Sequence, residues 1–217
     1  MHFASAALQP LTLWLAAIVV LPLLVLGAAR APWRLVLARS ERQHLMLGAL
    51  VVLPALWTMA VPLDSGIRLH LLYMTTVTLI FGWSLAVVIG SLAQLGLVLI
   101  NQAELLSLPV NVLIDVVIPV TVTHSILALC ERFRYRNLFV YLFGPAFAGA
   151  VLAALASVAV GWLLIRSSAT PELNPAILPL LVFPEGFLNG TLITAFAVFR
   201  PNLLRTYDEA RLIGPPG

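Results

Sequence analysis

The stretch Leu11–Ala29, LTLWLAAIVVLPLLVLGAA, decides the fold class of this chain. It carries no charged residue. Its length matches the roughly 20 residues that a helix needs to cross the hydrocarbon core of a bilayer. Similar apolar runs recur along the chain, without the alternation of apolar and polar residues that spanning strands show. The sequence therefore predicts a membrane protein whose spanning elements are helices.

The composition of all 217 residues supports the same prediction. Hydrophobic residues make up 61% and charged residues only 10%, against roughly 25% charged residues in soluble domains. The mean hydropathy is +1.04. Because a bilayer cannot hydrogen-bond an exposed backbone, each spanning segment has to satisfy its own backbone groups. We predict one all-α polytopic membrane domain over residues 1–217.

Seven membrane segments are predicted, one of them short or broken. The apolar stretch Leu69–Ile100 is too long for one span, and Phe81-Gly82-Trp83 provides a break near its middle. The piece before the break, Leu69–Ile80, would be only about 18 Å long as a helix. We expect it to be discontinuous or buried in protein, as segments at transport sites often are. The other predicted spans are Leu11–Ala29, Leu45–Val61, Ser84–Ile100, Val110–Leu129, Phe139–Ile165 and Ala176–Phe199.

The arginines predict the orientation of these segments. All 12 basic residues are arginine. If the N-terminus is outside and every segment crosses, only Arg68 and Arg166 lie outside, and the other ten are cytoplasmic together with the C-terminus. This distribution follows the positive-inside rule. The net charge of +3 comes from arginines spread over several loops, which argues against nucleic acid as a partner.

Few ionisable groups fall within the predicted spans, and such groups are costly and commonly functional. His70, Asp115 and Glu185 lie in the outer half of the predicted membrane, and His2 precedes the first span on the same side. His124 lies much deeper. This depth argues against a haem held by His70 and His124, and it favours a packing or interfacial role for His124.

His2 has a chemical context of its own. The start of the chain offers three nitrogens as possible ligands, namely the free amine of Met1 and the backbone amide and imidazole of His2. His70 would add a second imidazole. Planar nitrogen sets suit Ni(II) or Cu(II), and imidazole also suits cobalt or zinc. In the alternative interpretation, His2 is a frayed interfacial residue and His70 an ordinary helix-end histidine.

A metal site at Met1 requires that the first span is retained. No lysine or arginine precedes this span, and it is as long as a membrane segment. Signal peptides usually have a basic start and a shorter apolar core. We therefore expect an uncleaved first span.

Asp115 and Glu185 have structural interpretations beside functional ones. Asp115 fits a buried carboxyl group that fixes helix packing, and Glu185, between Pro184 and Gly186, fits the cap of a broken helix. The single Cys130 excludes an internal disulfide and a cysteine-rich metal cluster. The sequence has no Walker A motif, nucleophile elbow or His-Glu-x-x-His motif. An intramembrane enzyme is therefore the least favoured hypothesis, and we predict a protein that is not an enzyme.

Four motifs, in this order and spacing, resemble the CbiM/NikM family, the substrate-specific membrane components of energy-coupling-factor transporters for cobalt and nickel. The motifs are Met1-His2, His70-Leu71-Leu72 after Ser65-Gly66, Asn111 before a span with Pro119, and the last span with Pro184-Glu185-Gly186, Asn189-Gly190-Thr191-Leu192-Ile193-Thr194 and Arg200-Pro201-Asn202-Leu203-Leu204. The similarity covers nearly the whole chain.

The resemblance implies the substrate-binding permease component of such a transporter, in a bacterial cytoplasmic (inner) membrane. Its partners would be a membrane coupling subunit and cytoplasmic ATPases. It implies a nickel or cobalt ion held by the Met1 amine, the His2 nitrogens and His70. Supporting residues would be Asp115, Glu185 and Asn111.

The chain also departs from the family pattern. Phe3-Ala4-Ser5-Ala6 stands where the family usually has Ile-Pro-x-Gly, and Arg68 and Tyr73-Met74 replace glycine-rich surroundings of the second histidine. The bulkier pocket leaves copper or zinc open. The alternative function is a repurposed, non-transport membrane subunit that assembles or anchors a larger complex.

Overall fold

The computed structural model describes residues 1–62, 67–133, 137–166 and 178–207, and most of them are helical. Four helices in this part of the chain are long and apolar enough to cross a membrane, namely Pro10–Arg30, Leu108–Arg132, Leu138–Leu164 and Pro179–Phe199. In chain order the helices are α1 (Pro10–Arg30), α2 (Trp33–Leu37), α3 (Ser40–Thr58), α4 (Met74–Phe81), α5 (Trp83–Leu99), α6 (Leu108–Arg132), α7 (Leu138–Tyr141 continuing through Leu142–Ala148 and Gly149–Arg166) and α8 (Leu178–Phe199).

The helix α4 lies at the centre of the bundle. All eight of its residues are buried, and it packs against α5, α6, α7 and α8. The predicted break is present, because α4 ends at Phe81 and α5 begins at Trp83. Gly82 between them has φ +80, a conformation that favours glycine. The short segment is thus buried in protein, as its length requires.

Two helices contain widened turns next to prolines. In α6, Leu113–Val117 forms a π-helical turn just before Pro119. Proline lacks an N–H group, so a regular helix would leave a carbonyl without its partner. A π turn accommodates this interruption, and such turns are frequent at functional sites. Gly144-Pro145 similarly lies in the π-helical part of α7 (Leu142–Ala148), inside one continuous helix.

A small sheet corrects the all-α prediction. Three strands, β1 (His2–Phe3), β2 (Val61–Pro62) and β3 (Ile67–Leu69), pair antiparallel in the order β1-β3-β2. Strands of two or three residues are too short to give a readable alternation in the sequence. The sheet pairs His2 with Arg68. It therefore holds the start of the chain beside the segment that leads into α4.

Three further expectations are wrong in detail. The second predicted span corresponds to α3, which begins at Ser40 and ends at Thr58, whereas the sequence predicts Leu45–Val61. Its polar first turn is helical because residues such as glutamate, arginine and glutamine are good helix formers. The basic stretch before it contains the short helix α2. His70 does not open a helix, because it lies in the extended segment between β3 and α4.

Several residues used for the sequence predictions lie outside the described part of the structure. These are Asp64-Ser65-Gly66, Arg134, Arg136, the loop residues 167–177 and Arg211.

Candidate metal centre

Four groups that can bind metals meet at the N-terminal end of α4. They are the amine of Met1, the imidazoles of His2 and His70, and the carboxylate of Asp115. The amine nitrogen lies 3.0 Å from Nε2 of His70 and 2.5 Å from Oδ1 of Asp115. One ligand atom each from His2, His70 and Asp115 lies within 4.8 Å of the others. The sequence predicts the first three groups as ligands and Asp115 as a supporting residue, and in the structure the carboxylate lies beside all three.

The spacing of these atoms fits a coordination sphere. Ligands at metal–nitrogen distances of about 2.0–2.1 Å, separated by right or tetrahedral angles, lie about 2.9–3.4 Å from one another. The amine–His70 distance of 3.0 Å and the 3.3 Å between Nε2 of His70 and Oδ2 of Asp115 fall in this range. An ion could enter with small movements of these side chains.

Both histidines are in the chemical form that metals bind. They lie outside the membrane-spanning helices, and only 6% of His2 and 5% of His70 is exposed. Burial, and then the nearby His70, lowers the pKa of His2 to about 3. Burial, and then the positive chain terminus, lowers the pKa of His70. Both imidazoles are therefore neutral near neutral pH, as a metal ligand must be.

Gln94 on α5 links His2 to Asp115 and fixes the proton on His2. The amide nitrogen of Gln94 donates to Oδ2 of Asp115 at 3.0 Å, because a carboxylate only accepts. The Gln94 oxygen then faces Nε2 of His2 at 2.7 Å and accepts its proton. His2 therefore presents the lone pair of Nδ1. Hydrogen bonding of one ring nitrogen commonly sets the ligating nitrogen of a histidine in this way.

His70 has the opposite proton arrangement. Its Nδ1 lies 3.1 Å from the carbonyl oxygen of Leu71, which can only accept, so Nδ1 carries the proton. The lone pair of Nε2 then points to the Met1 amine. The ring of Trp57 lies beneath, with its centroid 5.5 Å from that of His70. Trp57 is almost fully buried and shields this side of the group from water.

Asn111 holds the start of the chain in place. Its Oδ1 accepts from the backbone N–H of Phe3 at 2.8 Å, and its Nδ2 donates to the Phe3 carbonyl at 3.3 Å. On the other side, a Cβ atom at Gly161 would lie 3.1 Å from both the Met1 sulfur and the Phe3 ring. The N-terminal residues therefore fit closely between α6 and α7, which fixes the position of the amine.

Glu185 supports the segment that carries His70. It does not cap a broken helix of its own, because α8 is continuous through Pro184. Its carboxylate instead accepts from the backbone N–H groups of Leu72 and Tyr73, both at 2.7 Å. These groups precede α4, and Tyr73 has a positive φ of 57. Glu185 thus caps α4 from another helix, without belonging to the ligand group among the described residues.

The structure also shows a cavity beside the ligand group and the position of the remaining histidine in the predicted spans. A cavity of about 240 Å³ lies beside His2 and is lined in part by Arg68, Glu104 and Asn111. His124 is exposed on α6 and lies apart from the ligand group. The sequence predictions name neither Trp57 nor Gln94, and for Gln94 a signal was present. The available signal was an amide within an otherwise apolar span.

A bundle of apolar helices that buries imidazole, amine and carboxylate groups together is typical of a membrane protein that handles metal ions. The chain matches the family described as cobalt uptake substrate-specific transmembrane region over residues 2–203, and it belongs to that family. It is therefore a multi-pass membrane protein and a component of transition-metal transport.

Two solved structures share this fold. One, of a truncated transition metal transporter, is 19% identical with a TM-score of 0.68, and the match covers 91% of this chain and 99% of that one. Another, of a transition metal transporter, is 18% identical with a TM-score of 0.69, over 91% and 93% of the two chains. No curated protein matches the sequence.

Proposed function

We propose that this protein is the substrate-binding membrane component of an energy-coupling-factor transporter that takes up nickel or cobalt. The observation that carries the proposal is the buried group formed by the Met1 amine, His2, His70 and Asp115. Nitrogen ligands of this kind suit late first-row divalent metals. In this proposal the ion is cargo, which is bound from one side of the membrane and released to the other.

The arrangement of α4 supports the predicted orientation, with seven membrane segments and the N-terminus outside. The metal group lies at the N-terminal end of α4. At its C-terminal end, Arg205 donates to the Phe81 carbonyl at 3.0 Å, and Arg42 donates to the Asn202 carbonyl at 3.1 Å. Arginines from two separate stretches thus gather at the end opposite the metal group. Under the positive-inside rule this end is cytoplasmic and the metal group faces outward.

The same orientation suggests where partner proteins would bind. The sequence has no Walker A motif, and in this proposal energy would come from cytoplasmic ATPases through a membrane coupling subunit. Such partners would bind the surface around Arg42 and Arg205. The membrane would be the bacterial cytoplasmic (inner) membrane, and the chain itself would bind and release the ion without acting as an enzyme.

Calorimetric titration of the purified protein with Ni(II) and Co(II) tests the proposal. His2→Ala and His70→Ala should each weaken binding by more than the roughly 10–100-fold that loss of an outer hydrogen-bonding partner costs. His124→Ala is the matched control and should bind like the parent protein, because His124 is exposed and remote from the ligand group. Unchanged affinity in His70→Ala would contradict the proposal and favour the repurposed, non-transport subunit.

A further inference from the structure

The tail segment, residues 200–207 after α8, caps the C-terminal end of α4. The last four carbonyl groups of a helix lack a donor within the helix itself. In α4, Arg205 and Thr206 of the tail segment supply donors for three of these four groups, namely the carbonyls of Leu79, Ile80 and Phe81. Thr206 donates its backbone N–H at 3.3 Å and its hydroxyl at 2.7 Å. Arg205 donates its backbone N–H at 3.1 Å and its guanidinium at 3.0 Å. The end of α4 therefore depends on these two residues.

The tail segment is itself fixed to two other helices. Its Leu204 is buried, with 3% of the residue exposed. The hydroxyl group of Thr206 donates its proton to α4, so the hydroxyl group of Tyr141 on α7 donates to Thr206 at 2.8 Å. Arg42 on α3 donates to the Asn202 carbonyl at 3.1 Å. The tail segment thus connects α4 to α3 and α7 at the end remote from the metal group.

Helix α8 holds the opposite end of α4. Glu185 accepts from the backbone N–H groups of Leu72 and Tyr73. One turn later, the side-chain oxygen of Asn189 accepts from the N–H of Thr76 at 2.8 Å and from its hydroxyl at 2.7 Å. Asn189 is fully buried, and its amide nitrogen donates to the Glu185 carboxylate at 2.9 Å. Both ends of α4 are therefore held by one continuous stretch of chain, α8 and the tail segment.

A helix as short as α4 needs such partners to keep its place. Isolated helices shorter than about 12–15 residues are marginal, and α4 (Met74–Phe81) has 8 residues, a length of about 12 Å. All of them are buried, and close-packed interiors transmit strain. A loss of hydrogen bonds at the C-terminal end therefore shifts the helix as a unit. Only three residues separate His70 from the first residue of α4, so the imidazole follows this shift.

We propose that Arg205 and Thr206 are positioning residues for metal binding, which act through α4 on the segment that carries His70. The inference rests on the proposed function and concerns its regulation, because partner proteins would bind the surface around Arg42 and Arg205. A partner that draws the tail segment away from α4 would lower the affinity for the ion. Bound metal would in turn strengthen the contact of the tail segment with α4, since coupling between two sites is reciprocal.

Calorimetric titration with Co(II) tests this inference on the double variant Arg205→Met and Thr206→Val, which keeps the size of both side chains and removes their donors. Coupling between sites commonly changes affinity by about 5–150-fold. We expect the double variant to bind at least roughly fivefold more weakly than the parent protein. The conservative double variant Arg205→Lys and Thr206→Ser keeps a donor at each position and should bind like the parent protein.

Two controls separate this effect from a loss of charge or of stability. Arg200→Met removes an exposed arginine from the same tail segment and should leave the affinity unchanged. Val20→Ala shortens a buried side chain of α1, which packs against α5 and α6. It should lower the unfolding temperature without weakening the binding of Co(II).

Hydrogen exchange of the parent protein gives an independent measurement. Addition of Co(II) should slow the exchange of the Arg205 and Thr206 amides, which bond to α4. Unchanged exchange would overturn the inference, even if the double variant fails to fold. A folded double variant with parent affinity, an equal loss of affinity in Val20→Ala, or no recovery in the conservative double variant would also overturn it and leave the proposed function standing. A parent protein that binds neither Ni(II) nor Co(II) would overturn both.

Discussion

Replacement of Glu185 by glutamine tests whether the His70 segment is held in place from another helix. The Glu185 carboxylate accepts backbone N–H groups of Leu72 and Tyr73, both at 2.7 Å, and the side-chain amide of Asn189 at 2.9 Å. A glutamine has only one oxygen. In either orientation its NH₂ group faces a backbone N–H, so at least one hydrogen bond is lost and a donor remains unsatisfied.

The size of the effect follows from these contacts. An unsatisfied buried donor costs roughly 1–3 kcal/mol, and loss of the charge on the acceptor weakens the remaining bond by about 1 kcal/mol. The total loss of stabilising free energy is roughly 2–4 kcal/mol, and it affects the backbone directly after His70. Only the share of this energy that differs between the metal-free and the metal-bound protein reduces the affinity for the metal. We therefore expect the roughly 10–100-fold loss typical of residues that support a ligand, or about 1.4–2.8 kcal/mol.

Calorimetric titration with Co(II), together with thermal unfolding in detergent, measures both effects. Glu185→Gln should bind more weakly and unfold at a lower temperature than the parent protein. Glu41→Gln is the control, because Glu41 is an exposed glutamate in the first turn of α3, and it should change neither quantity. A folded Glu185→Gln protein with parent affinity would refute the idea that Glu185 positions His70.

Three further predictions follow from the fold and the site. Gly82→Ala should lower the unfolding temperature, because Gly82 has φ +80 and an added Cβ would lie 2.8 Å from the Arg205 guanidinium. The control is Gly48→Ala, whose added Cβ would meet nothing within 4 Å and which should be neutral or slightly stabilising. Equal destabilisation by both substitutions would contradict the argument. Reporter fusions near Glu104 should be external and those after Arg205 cytoplasmic, and the reverse result would exclude the proposed orientation. Affinity for Co(II), measured by calorimetric titration, should fall on acidification, since protons compete with the ion for its nitrogen ligands, and an affinity that stays constant into the acidic range would argue against nitrogen ligands.

The sequence predicts those parts of the fold that depend on length and apolar composition. The first helix, the break at Gly82 and the burial of the short segment are all present in the structure. They are predictable because a spanning helix needs about 20 apolar residues and a shorter one has to be covered by protein. The small sheet is not predictable in this way. It depends on pairing between residues far apart in the chain, such as His2 and Arg68.

The sequence predicts the histidines of the candidate site, but not the hydrogen bonds that hold them in place. The structure brings Met1, His2 and His70 together, and the sequence analysis places them on one side of the membrane. The role of Gln94 as a link between His2 and Asp115 depends on how α5 and α6 face each other. The action of Glu185 on another helix also depends on tertiary packing. Neither contact leaves a local pattern in the sequence.

The metal content of protein purified with an untouched N-terminus tests the central claim most directly. After loading with Co(II) and removal of free metal, elemental analysis should give one ion per chain. The same protein with one residue added before Met1 should retain almost none, because an added residue moves the amine by about 3.3–3.6 Å from a pocket in which Met1 is only 2% exposed. Equal metal content in both proteins would show that the amine of Met1 is not a ligand and would contradict the account.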